Sequence, residues 1–213
     1  MRGMLLTLIV LAFSLPACST YDPFKDCDLR KQIGRPFAGK SALKVTFLGN
    51  TTLAIDDGQT TLLVDGFLSR PGKIQTLLSP VGPAPEIIIR ELSAAGIHRV
   101  DAVLVGHAHH DHALDSTAIA DLFGAKAIGS SSYAKVYQGS HIHGSNSTLV
   151  TIPSKGGCAT IGQFTVKFKP SAHVAPCSFA QKLVEGEIKN PLKLPAYFTQ
   201  FKCGDVFALH ISH

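Results

Sequence analysis

The stretch "VDAVLVGHAHHDHALD", residues 100–115, constrains this chain more than any other. Asp101-Ala102-Val103-Leu104-Val105 is a short apolar run, the pattern of a strand buried in a sheet. Directly after it come four of the ten histidines, His107, His109, His110 and His112, with Asp111 among them. Polar groups thus gather at the C-terminal end of a buried strand, where α/β sheets keep their ligands. His107 and His109 are two residues apart, so on extended backbone they project to the same side. Asp111 and His112 add an oxygen and a nitrogen at the turn into the next helix. Imidazole with carboxylate suits zinc and related divalent ions, and no thiolate is needed. Four histidines and an aspartate in six residues are too dense for an ordinary solvated loop.

The elements around this run define the class of fold. Leu43–Leu48, Thr52–Ile55 and Thr61–Asp65 read as three short strands, joined by Gly49-Asn50 and by the turn Asp56-Asp57-Gly58. A Pro- and Gly-rich loop follows, from Pro71 to Pro85. The period then changes: Ile88, Leu92 and Ala95 share one helical face over Glu86–Ala95, and Gly96 suits the C′ position. Helices are expected over Asp115–Leu122 and Ser131–Tyr137, and strands at Lys126–Ile128, Thr148–Ile152, Phe164–Lys169 and Val206–Ile211. A strand-rich opening followed by strand–helix alternation predicts an α/β or α+β layered domain over residues 42–213.

The N-terminus reads differently. In residues 1–17 Arg2 is the only charge, and Leu5–Leu15 is almost wholly apolar. That is the pattern of an export signal, too short for the roughly 20 residues that cross a membrane. Leu15-Pro16-Ala17-Cys18 resembles the bacterial lipoprotein signal, which implies lipidation of Cys18 and a membrane anchor through its acyl chains. Ser19 after it favours the outer membrane, facing the periplasm. Residues 18–41, broken by Pro23 and Pro36, read as a tether. Cys27, Cys158, Cys177 and Cys203 form an even set that allows three disulfide pairings, or four buried free thiols. The net charge of +5 is the balance of 20 dispersed Lys and Arg against 15 Asp and Glu, and no motif supports nucleic-acid binding.

His107-Ala108-His109-His110-Asp111-His112 resembles the HxHxDH motif of the metallo-β-lactamase fold superfamily. "VTFLGNTTLAIDDGQTTLLVDGFLSRP" is similar to that family's opening strands, and "KPSAHVAP" puts His173 where the family has its third histidine. The resemblance implies a four-layer αββα sandwich, nearest to the branch of UlaG-like lactonases and phospholipase D-type enzymes. It implies that His107, His109 and His173 bind one metal and that Asp111 and His112 begin a second site. His110 is the variable position of the motif. Asp65 is either an orienting residue outside the ligand set or a plain turn aspartate. The implied activity is hydrolysis: a water acidified by one or two Zn2+ attacks a carbonyl or phosphoryl centre, with Asp111 relaying a proton. The implied substrate is a small or lipid-like ester, lactone or phosphodiester.

The family pattern also has a bridging aspartate and a last histidine beyond the third. Asp205, His210 and His213 do not match these positions, so the C-terminal half of the sandwich is expected to be incomplete, with apolar sheet surface left uncovered. This raises the alternative of a non-catalytic remnant that binds one metal or none. Di-iron redox chemistry is disfavoured, because those members carry Glu where this chain has His109. His141-Ile142-His143 reads as an exposed loop, with a role on the substrate side as the minor option.

Overall fold

The computed structural model describes residues 43–142, 144–173 and 182–213. The first sheet has six strands: β1 (Lys44–Gly49), β2 (Thr52–Asp56), β3 (Thr61–Val64), β4 (Ala102–Leu104), β5 (Lys126–Gly129) and β6 (Thr148–Thr151). They lie in chain order. β1, β2 and β3 form an antiparallel meander, and β3 through β6 pair parallel. The change of direction follows from connection length. Tight turns can only reverse a strand, whereas parallel neighbours need a crossover. Helices supply the crossovers: α1 (Lys73–Leu78) and α2 (Pro85–Ala94) before β4, α3 (His110–Ala113) and α4 (Ser116–Phe123) before β5, and α5 (Ser131–Ser140) before β6. A second, antiparallel sheet holds β7 (Gly157–Ile161), β8 (Phe164–Pro170) and β9 (Phe207–Ser212). No described helix is long and apolar enough to cross a membrane.

The two faces of the first sheet bury different partners. Leu63, Val103 and Ala127 join Ile88 and Leu92 of α2, Ile119 of α4, and Tyr133 and Val136 of α5 in one apolar cluster. Their neighbours Leu62, Ala102, Leu104 and Ile128 point the other way, against Ile161, Phe164, Val166, Phe168 and Phe207 of the second sheet. The strand period of two places adjacent residues in opposite layers. This is why Ala102–Val105 has no polar face. Each Val, Leu, Ile or Phe side chain fully buried here contributes roughly 1.5–3 kcal/mol.

The expected uncovered apolar sheet surface lies on β1, where Val45 and Phe47 are 61% and 64% exposed. The outward face of the second sheet is polar instead: Thr160, Lys167, Lys169, His210 and Ser212 stand exposed on it, alternating with inward Ile161, Val166, Phe168, Leu209 and Ile211. The loop after Pro71 also contains a helix. α1 buries none of its residues, and Ile74, Leu77 and Leu78 are exposed, so it has no core-facing stripe to mark it. β7 likewise carries too little large apolar alternation to stand out in the sequence.

Cys158 and Cys203 are free thiols, Cys158 exposed and Cys203 half-buried. They form no bond to each other, and Cys27 and Cys177 lie outside the described residues, as do the signal, Cys18 and the tether. His141 is more than a loop residue. Its Nδ1 donates to Asp121 Oδ1 at 2.6 Å, and its ring stacks on Tyr137 at 4.7 Å. The Asp121 side chain, 2% exposed, also accepts from the Ile142 N–H at 2.8 Å and the Ser145 hydroxyl at 2.7 Å. Burial acts to raise this carboxyl's pKa, but hydrogen bonds from Ser147, Ile142, Ser145 and His141 outweigh it and hold it below the usual range. The network pins the α5–β6 connection to Asp121 of α4. His143 lies outside the described residues.

Candidate metal centre

The histidine loop is fastened on both sides before any side chain converges. β4 continues through Val105, whose N–H donates to Ile128 O at 2.8 Å. The Phe207 N–H at the start of β9 donates to Gly106 O at 2.9 Å, and the Ala108 N–H donates to Cys203 O, in the segment before β9, at 3.0 Å. From β3, the Gly66 N–H donates to His112 O at 2.7 Å, while the Asp115 N–H donates to Gly66 O at 3.0 Å. Only glycine permits that last approach, since a Cβ on Gly66 would lie 2.8 Å from the Ser116 nitrogen. The loop therefore sits at the mouth between the two sheets, held from three directions.

His107 and His109 are buried, at 7% and 8% exposure. His107 Nε2 lies 3.1 Å from His109 Nδ1. His173, three residues past β8, brings its ring centroid to 4.8 Å from both. The His112 ring is 3.9 Å from that of His107. Thus His107, His109, His112 and His173 come together. Asp111 stands at the rim: its side chain is 39% exposed and lies 3.8 Å from His112 Nε2. His110 turns away, with its ring near Phe67, Phe198 and Phe201 at 5.8, 6.1 and 6.3 Å.

The electrostatics favour neutral imidazoles. Burial, then the neighbouring His112, His109 and His173, pushes His107 down to about 2. Burial and His173 also lower His109. A neutral ring nitrogen is the form that ligates a metal. His112 differs. Burial opposes its charge, but the hydrogen bond and charge of Asp65, with Asp111 behind them, raise it.

Asp65 is the residue that ties this together. Its φ of 56° turns the chain sharply at the end of β3. Its Oδ1 accepts from the Gly106 N–H at 2.9 Å, and its Oδ2 accepts from His112 Nδ1 at 2.7 Å. A donor at Nδ1 leaves His112 Nε2 as the ligating atom. Asp65 is therefore more than a turn aspartate.

Four residues here carry no signal in the local sequence. The Asn50 amide donates to Asp111 O at 2.9 Å, and Thr51 Oγ1 lies 3.3 Å from His112 Nδ1. The buried Asp115 carboxylate accepts from the N–H groups of Leu68 and Ser69 at 2.6 and 2.7 Å, and from the Ser69 hydroxyl at 2.6 Å. Cys203 is the fourth: one donor atom from each of His107, His109 and Cys203 lies within 4.8 Å of the others. Burial and then Glu185 push the Cys203 thiol up to about 11.

The donor set fits a divalent ion. A tetrahedral ion bonded at about 2.05 Å needs its nitrogens roughly 3.3 Å apart, close to the separation between His107 and His109. Buried, neutral imidazoles at the end of a parallel strand, between packed sheets, define a metal-binding α/β sandwich. The sequence profile of the metallo-beta-lactamase superfamily matches residues 45–181, and the chain belongs to that superfamily. A UPF0173 metal-dependent hydrolase of Oenococcus oeni is 31% identical over 138 residues, covering 62% of this chain and 49% of the relative. Another, of Carboxydothermus hydrogenoformans, is 32% identical over 144 residues, covering 67% and 52%. The chain thus spans about half the length of the curated relatives it matches. Among solved structures, the metallo-beta-lactamase fold protein YhfI of Bacillus subtilis aligns at 16% identity and a TM-score of 0.47, over 81% of this chain and 59% of its own.

Proposed function

We propose that this protein is a metal-dependent hydrolase that cleaves an ester, lactone or phosphodiester. The observation that carries the reading is the buried His107–His109 pair, 3.1 Å apart and joined by His173. The relatives named above as metal-dependent hydrolases support it. His107, His109 and His173 would hold the ion. When bound, a divalent ion supplies Lewis acidity and a water acidified toward neutral pH. The chain's own residues do the remainder. Asp65 fixes His112, and Asp111 at the solvent-facing rim is placed to pass a proton outward. Zinc is the ion that suits the imidazole set.

The purified full-length chain, assayed on an aryl ester, a lactone and an aryl phosphodiester, is expected to turn over at least one of them. Chelation should remove at least nine-tenths of that turnover, and added Zn2+ should restore it. Turnover unchanged by chelation would refute the metal-dependent reading. No turnover of any probe, with one zinc bound, would favour the non-catalytic alternative.

Anchoring belongs to the same proposal. Leu-Pro-Ala-Cys supports lipidation at Cys18, with residues 18–41 as a tether to the outer membrane. Cys18→Ser removes the thiol that accepts the lipid and should move the protein from the membrane to the soluble fraction. Membrane retention equal to that of the unaltered chain would count against the anchor.

A further inference from the structure

Cys203 enters the histidine cluster by backbone design. A cysteine side chain is short, so the main chain decides where the sulfur lies. Cys203 O accepts from the Ala108 N–H at 3.0 Å, between the two metal-loop histidines. The Cys203 N–H donates to Val184 O at 2.8 Å. That same carbonyl is 3.3 Å from His109 Nε2, and so holds the ring with Nδ1 turned toward His107. Two segments joined by that bond, at Val184 and at Cys203, thus orient His109 and present a free thiol beside it. The donor atoms of His107, His109 and Cys203 lie within 4.8 Å of one another.

We propose that Cys203 is a protein ligand of the metal, supplying a thiolate to the ion held by His107 and His109. The inference rests on the metal-binding reading above. The thiol gives its proton to solvent as the ion binds, and the metal–sulfur bond replaces the S–H bond. Two imidazoles and a thiolate, with His173 beside them, form a nitrogen–sulfur set. Such a set selects zinc over magnesium or manganese, which favour oxygen donors. With His173 as a third nitrogen the set reaches four protein ligands, so the water of the proposed hydrolysis would enter at a fifth position.

Cobalt(II) is a direct probe, because thiolate ligation gives a sulfur-to-cobalt charge-transfer band in the near ultraviolet. The full-length chain loaded with one equivalent of Co2+ should show this band. Cys203→Ser should lose it while keeping the visible d–d bands, and Cys158→Ser should keep both. X-ray absorption on the zinc-loaded, unaltered chain needs no variant and should show sulfur at about 2.3 Å beside nitrogen at about 2.0–2.1 Å. Stoichiometric metal binding with only nitrogen and oxygen neighbours would overturn the role of Cys203 and leave the histidine site standing. A band that survives in folded Cys203→Ser would assign the sulfur to another cysteine and equally overturn it. Failure to bind cobalt or zinc at all would remove both readings.

Discussion

His107→Ala is expected to abolish tight zinc binding, and with it the stabilisation that zinc confers on the folded chain. His107 is the hub of the site, with its ring within 4.8 Å of those of His109, His112 and His173. A ligand that binds only the folded state adds roughly 4 kcal/mol when its free concentration is about a thousand times Kd. Thermal unfolding with and without zinc should reveal that increment in the unaltered chain and none in the variant. Metal-free stability should fall by only about 1 kcal/mol, because the lost imidazole is neutral in its buried surroundings. Titration should also find one tightly bound zinc per unaltered chain. Asp111 at the rim and His112 offer a second ion only two ligands, too few to compete with water. Two tight equivalents, or full zinc stabilisation in His107→Ala, would show that the ion is held elsewhere.

Asp65→Ala should be the most damaging substitution to the fold near the site. The carboxylate is 4% exposed and satisfies the Gly106 N–H and His112 Nδ1 at once. Its loss removes the acceptor of two part-buried donors, and leaves His112 Nδ1 only the Thr51 hydroxyl at 3.3 Å, at a cost of about 1–3 kcal/mol for each donor left unpaired. Alanine at a φ of 56° adds strain that aspartate and asparagine tolerate better. The combined destabilisation should be about 3–5 kcal/mol in denaturant unfolding, with zinc affinity 10–100-fold weaker. Asp65→Asn separates the two roles. It keeps the turn and an acceptor for Gly106, so most stability should return. It puts an amide donor or a weaker acceptor opposite His112 Nδ1, so full zinc affinity should not. If Asp65→Ala folds and binds zinc like the unaltered chain, Asp65 is only a turn residue.

Much of this architecture was legible along the chain. Alternating short strands, the helical face of Ile88 and Leu92, and the apolar run into His107 all follow from local period. β4 needed no tertiary information, because a run without a polar face can be stable only between two covering layers. The spacing of His107 and His109 likewise set which side chains converge, since extended backbone places alternate residues on one side. α1 and β7 were not legible, as neither has a stripe of buried apolar residues.

What only the tertiary structure decided are the contacts between segments far apart in sequence. Asn50 and Thr51 look like turn residues, and Asp115 like the start of a helix, until the sheet packs them around the histidine loop. Asp65 and His112 are 47 residues apart, and nothing in either neighbourhood announces their 2.7 Å bond. Cys203 read as one member of a possible disulfide set, but the hydrogen bond between its carbonyl and the Ala108 N–H sets its thiol beside two imidazoles. The physical reason is common to all of them. Local sequence sets which way a side chain points from its own element, whereas the partner it meets depends on how distant elements pack.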